Sequence, residues 1–109
     1  AAGAGAAVPI SVYDEIDSGV GGRIGASIGM LLRRVCAGGR HTVLCITHLP
    51  QVAAHGQHHI KVEKVEGGDG RLVTRVRVLE GREEREGELS AMLGMGREAA
   101  GDLMSVVDG

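Results

Sequence analysis

A chain of 109 residues holds at most one domain and buries only roughly 60–70% of its unfolded surface; with one Tyr, no Phe and no Trp, aliphatic side chains must supply its core. A net charge of −2 gives no whole-chain attraction to nucleic acid or an anionic membrane, and no run reaches the ~18 apolar residues that a membrane span needs. Nineteen glycines thin the core further, so the chain reads as part of something larger.

Residues 1–7, AAGAGAA, are small and uncharged, without the basic region and long apolar stretch of a signal peptide, and read as a lead or loop. Residues 8–13 then read as a short buried strand. The chain next places Asp14, Glu15 and Asp17 where that strand runs out into the glycine turn SGVGG. Residues 23–36 read as a helix, because Ile24, Ile28, Leu31, Leu32 and Val35 share one face. Gly25 and Gly29, one turn apart, allow that helix a close approach to a neighbouring backbone, and CAGGR ends it. HTVLCITH, residues 41–48, is a near-continuous apolar run with β-branched residues, the pattern of a strand buried on both faces in a parallel sheet. Strand, helix and strand make a βαβ unit.

Pro50 opens a short helix through Val52, Ala53 and Ala54. Two alternating runs, HHIKVEKVE and RLVTRVRVLE, flank Gly67-Gly68-Asp69-Gly70, which predicts a hairpin. Ile60 and Val62 are expected inward with Leu72, Thr74, Val76 and Val78, and Lys61, Glu63, Arg75 and Arg77 toward water. From Arg82 the chain reads as two helices, EREGELSAMLGMG and REAAGDLMSVV, broken by glycines, with an i,i+4 pair between Arg82 and Glu86. Cys36 and Cys45 fall at a helix end and in a buried strand, which favours reduced thiols in a cytosol-like compartment over a disulfide.

The acidic strand end carries the chemistry. In an open α/β sheet the carboxyl ends of parallel strands form the ligand crevice. One carboxylate there can hold a magnesium ion directly or through its water shell, and a second, offset by one residue, can take a proton from an attacking water. The second strand delivers His48 to the same rim, within reach of a γ-phosphate or of that water. Taken singly, an acidic pair is more often a helix cap or a solvated edge, and a lone histidine a structural residue; their convergence on one rim is what points to a site.

VYDEIDSGVGGRIG followed by VLCITHLPQVAA resembles the second half of the ATPase head of SMC/ABC-type ATPases, and specifically the RecN family of bacterial DNA repair. The resemblance continues through HHIKVEK, the hairpin and REEREGELSAMLG, and ITHLPQVAA is its most specific string. It implies an α/β fold, the C-terminal lobe of a P-loop NTPase head over residues 8–109, with parallel strands, flanking helices and a β-hairpin. It implies that DEID is the Walker B motif, that the turn is the D-loop, and that His48 is the switch histidine. Asp14 would then bind Mg2+, Glu15 would polarise the attacking water, and His48 would sense the γ-phosphate of ATP. Asp17, Ser18, Gly19, Val20, Gly21 and Gly22 would meet the opposing head in a nucleotide-sandwich homodimer. DNA enters as a partner of the whole protein through the same resemblance, as does a location in the bacterial cytoplasm and nucleoid, or in an organelle such as a plastid.

The departures are equally definite. No G-x-x-x-x-G-K-[ST] loop, signature motif or coiled-coil arm lies in these residues, so the chain reads as a C-terminal piece whose partner lobe carries them, inactive alone. Ile16 and Val20 are mild replacements, whereas Gly21 stands where the family has serine and removes a hydroxyl from the turn.

A dinucleotide-binding module matches Gly19-x-Gly21 and Gly25 after a strand, but it needs an acid about 20 residues on, and none lies between Asp17 and Glu63. A zinc site built from Cys36, Cys45, His48, His55, His58 and His59 has no matching spacing, and His55 and His58 are expected on a solvated helix end. A third reading is a scaffold that dimerises or docks DNA without turnover. The acid-free middle, with Arg23, Arg33, Arg34, Arg40 and Lys61, offers it a few phosphate-neutralising charges.

Overall fold

The computed structural model describes residues 9–94 and 97–108; the Ala/Gly lead at 1–7 lies outside them. The elements in chain order are β1 (Ile10–Asp14), α1 (Gly22–Cys36), β2 (Thr42–Ile46), α2 (Pro50–Ala53), β3 (His59–Glu66), β4 (Leu72–Leu79), α3 (Gly81–Leu93) and α4 (Arg97–Asp108). The chain is therefore α/β. β1 and β2 pair in parallel with α1 between them, in register from Ile10 opposite Thr42 to Asp14 opposite Ile46. β3 and β4 form the antiparallel hairpin, with Ile60 opposite Val78 and Glu66 opposite Leu72.

Local chemistry accounts for the element ends. Arg33 and Arg34 occupy the last turn of α1, where cations complement the helix dipole. Pro50 stands at the start of α2, where its missing N–H costs nothing. Glu83 and Glu84 lie in the first turn of α3, and Glu84 Oε2 accepts the Glu80 N–H at 2.6 Å. Gly94 ends α3 in the left-handed conformation, φ 68°. Cys36 and Cys45 are free.

Gly25 and Gly29 do what their spacing suggests. A Cβ on Gly25 would stand 3.0 Å from Leu49 Cδ1, and one on Gly29 would stand 2.5 Å from His55 Cδ2 and 3.2 Å from the Gln51 carbonyl oxygen. α1 thus lies directly on α2 and on His55, which is half-buried and not on a solvated helix end as expected. The core sits where α2, α3 and α4 meet: Ala54, Leu89, Ala100 and Met104 are buried, with Ala53, Met92, Leu93, Leu103 and Val107 packed around them. Leu89, with no exposed surface, contributes about 1.5–3 kcal/mol by burial.

Two expectations about faces are corrected. β2 is not buried on both faces: Leu44 and Ile46, with Ile10 and Val12 beside them, are exposed, because no element among the described residues covers that side of the sheet. The hairpin is turned over relative to the expected arrangement. Ile60, Val62, Leu72, Val76 and Val78 are exposed, and the opposite face, carrying His59, Lys61, Glu63 and Val65, is half-buried along β3. α3 presents Glu88 to Lys61 at 2.6 Å and Glu84 to Arg77 at 3.2 Å, so the charged face is the one that meets the helix, and no element among the described residues covers the apolar face.

Candidate functional site

Parallel pairing brings the carboxyl ends of β1 and β2 to one rim, and the ladder runs one step past them through the Glu15 N–H, which donates to the Ile46 carbonyl at 2.8 Å. Asp14 ends β1 on the same face of the sheet as Ile10 and Val12, exposed, with no ion pair among the described residues. Glu15 departs from the pleat. Its φ is +52°, a left-handed conformation that costs a non-glycine residue on the order of 1 kcal/mol. That twist redirects its side chain toward the β2 end, where Glu15 Oε1 lies 3.6 Å from His48 Nδ1 with both side chains more than half exposed. The two carboxylates therefore share a rim and point differently, one open and one facing an imidazole.

The turn beyond is held by its own backbone: the Ser18 N–H donates to Glu15 O at 3.0 Å, the Val20 N–H to Asp17 O at 3.2 Å, and the Gly25 N–H to Gly21 O at 2.9 Å as α1 begins. Ser18, Gly19 and Gly21 are exposed, and Val20 and Gly22 are half-buried. Asp17 differs from the others. Its side chain is 0% exposed and turned inward, unlike the rest of the turn. Its Oδ2 accepts a hydrogen bond from the Thr47 hydroxyl, and Oδ1 is buried without a partner among the described residues. Burial, and secondarily the charge of Asp17, push the Cys45 thiol above its ordinary 9.0.

Thr47 is the residue that sequence reasoning passed over. Within an apolar strand run a threonine reads as one more β-branched filler; its place directly before His48, facing an acid one turn past the other strand, is the signal that was available. Glu15 in a left-handed conformation left no trace in the sequence.

The donors fit a magnesium ion of the nucleotide-bound kind, which takes one or two protein carboxylates and completes its shell with water and phosphate oxygens; Asp14, open and at the strand tip, has that form. Among the described residues no three His, Cys, Asp or Glu side chains converge where a metal could be held, which is a poor match to an all-protein zinc cage. No helix of the described residues is long and apolar enough to cross a membrane.

The chain is similar to proteins named DNA repair protein RecN. It is 45% identical over 87 residues to that of Xylella fastidiosa (strain 9a5c), covering 80% of this chain and 15% of the relative. It is 44% identical over 89 residues to that of Deinococcus radiodurans, covering 82% and 15%, and 43% identical over 82 residues to that of Bacillus subtilis (strain 168), covering 75% and 14%. The chain thus spans about 15% of the length of the curated relatives it matches. No family model matches it.

Proposed function

This chain is a RecN homologue over about 80% of its length, and from that premise we propose that it forms the Walker B, D-loop and switch-histidine lobe of an ATP-hydrolysing head that acts in DNA double-strand-break repair and recombination. The observation that carries the reading is the meeting of Glu15 and His48 at 3.6 Å on the rim that Asp14 also occupies.

When bound, magnesium–ATP supplies an electrophilic γ-phosphorus. Asp14 holds the ion, directly or through a water. Glu15 accepts the proton of the attacking water, and its redirected carboxylate stands clear of Asp14 for that purpose. His48, 3.6 Å from Glu15, would hydrogen-bond the γ-phosphate and so report its presence to the β2 end. Ser18, Gly19, Val20, Gly21 and Gly22 form the outward surface of the turn that meets a second head in a homodimer, and Gly21 leaves a smooth backbone there. The phosphate-cradling loop belongs to the partner lobe of the whole protein, and the open apolar faces of both sheets support the presence of such a lobe.

The test is magnesium-dependent ATP hydrolysis by the full-length protein that contains this segment, with and without DNA. Asp14→Asn is expected to raise the magnesium concentration needed for nucleotide binding, and Glu15→Gln to leave nucleotide bound but nearly unhydrolysed. Unchanged turnover in Glu15→Gln would remove the base from the scheme. If the unsubstituted full-length protein instead showed no magnesium-dependent hydrolysis, the scaffold reading, which the same open apolar faces favour, would replace it.

A further inference from the structure

We propose that Thr47 and Asp17 form a half-buried brace that sets the separation of Glu15 and His48, which makes Thr47 a positioning residue for hydrolysis; the inference rests on the ATPase reading above. Glu15 and His48 both lie past the ends of their strands. The last backbone link between the two segments is the Glu15 N–H to the Ile46 carbonyl at 2.8 Å. Beyond it, among the described residues, the hydrogen bond from the Thr47 hydroxyl to Asp17 Oδ2 joins the turn after β1 to the segment after β2, behind the exposed Glu15–His48 contact itself.

Thr47 is engaged on both sides of the histidine. Its Oγ1 donates to Asp17 and accepts the Leu49 N–H at 2.9 Å, so one hydroxyl fixes the residue before His48 and the residue after it. Asp17 is engaged on the other segment in the same way: its carbonyl accepts the Val20 N–H within the turn whose first bond is Ser18 N–H to Glu15 O. A hydrogen bond to a buried carboxylate is among the stronger ones and is rigid for that reason. Asp17 has the added constraint that Oδ1 has no partner among the described residues, so loss of the Thr47 hydroxyl leaves the buried carboxylate with none from a side chain. The exposed pair at the rim is thus located by a buried carboxylate two residues further along one segment and a half-buried hydroxyl one residue back along the other.

Asp17 itself is a poor probe, since its replacement disturbs folding as well as geometry. Thr47→Val keeps the shape and removes the hydroxyl; Thr47→Ser keeps the hydroxyl. In the full-length protein Thr47→Val is expected to lower kcat for ATP roughly 10- to 100-fold, the scale of an ångström-level misplacement, with KM for ATP changed less than about threefold. Thr47→Ser is expected to recover most of that loss. A kcat for Thr47→Val indistinguishable from the unsubstituted protein overturns the brace, as does a Thr47→Ser variant that is as impaired as Thr47→Val. Glu15→Gln is measured alongside. If it hydrolyses ATP at the unsubstituted rate, the assignment of Glu15 as the base is what failed, and the brace is then decided by the crystal structure of the Thr47→Val protein. There the Glu15–His48 separation opening by about 1 Å or more supports it, and a separation still at 3.6 Å refutes it.

Discussion

On the hairpin half of the molecule Glu63 Oε2 accepts two hydrogen bonds from Arg75, at 2.7 and 3.0 Å, Glu88 meets Lys61 at 2.6 Å, and Glu86 meets Arg82 at 2.8 Å. At the tip of β1 the same chemical group is handled differently: Asp14 has no ion pair among the described residues, and Glu15 faces an imidazole 3.6 Å away. The carboxylates of the hairpin half are met by basic neighbours, with Glu63 joining β3 to β4, Glu88 joining α3 to β3, and Glu86 pairing within α3. Those at the strand tip are left with unused acceptor capacity, and Glu15 is held there in a left-handed conformation. Unused capacity at the end of a strand, and not acidity as such, separates a site from a surface.

The sharpest way to break that contrast is to make one chemical change in both halves. Glu15→Gln is expected to lower ATP turnover by the full-length protein about 10²- to 10⁴-fold, the range for loss of a general base. Glu63→Gln should leave turnover within about twofold, as surface substitutions remote from a site do. Comparable losses from both, in a phosphate-release assay, would erase the distinction.

Next in size is the core beneath the hairpin half. Leu89→Ala is expected to cost about 2–5 kcal/mol in urea denaturation, because Leu89 is fully buried against Ala54, Ala100 and Met104. A smaller loss would mean that α3 and α4 collapse onto the gap.

Gly29→Ala acts on the site-bearing half. The substitution gains about 1 kcal/mol of helix propensity, but its methyl must enter the 2.5 Å gap to His55 and the 3.2 Å gap to the Gln51 carbonyl, of which the second is backbone. Overpacking wins, and a net loss of about 1–3 kcal/mol is expected. The loss should shrink in a His55→Ala background, and equal losses in both backgrounds would place the obstruction elsewhere.

The smallest expected effect is a pH dependence that belongs to the hairpin half. Burial first, then the Arg85 charge, with Glu88 opposing and Lys61 adding to the effect, holds His59 below its ordinary 6.5. The folded state binds fewer protons than the unfolded chain between the depressed value and 6.5. This contribution to stability is therefore complete above pH 6.5 and declines as the pH falls from 6.5 toward the folded value. His59→Gln should flatten that part of the stability curve in chemical denaturation series; an unaltered slope would assign the dependence to His55, which burial and Arg33 also hold low.

Much of this arrangement is legible in the order of residues. The spacing of Ile24, Ile28, Leu31, Leu32 and Val35 marks α1, Gly67-Gly68-Asp69-Gly70 marks the hairpin, and the acidic end of one apolar run and the histidine end of another meet on one rim as parallel pairing requires. What was not legible depends on contacts between elements. Alternation shows that Ile60, Val62, Val76 and Val78 share a face, but which face meets a neighbour shows only in contacts between elements, Glu84 with Arg77 and Glu88 with Lys61, the latter 27 residues apart. The inward turn of Asp17 depends in the same way on a hydroxyl thirty positions away.

The uncovered hairpin has a practical corollary for anyone handling this segment by itself. Each ribbon has two strands among the described residues, so its outer rows of peptide groups are free to recruit further strands, beside unshielded valine and isoleucine. Only Lys64 and Glu66 put charge on the bare side of β3 to oppose stacking. Removing those two charges is accordingly expected to lower the concentration at which the isolated polypeptide stays in solution.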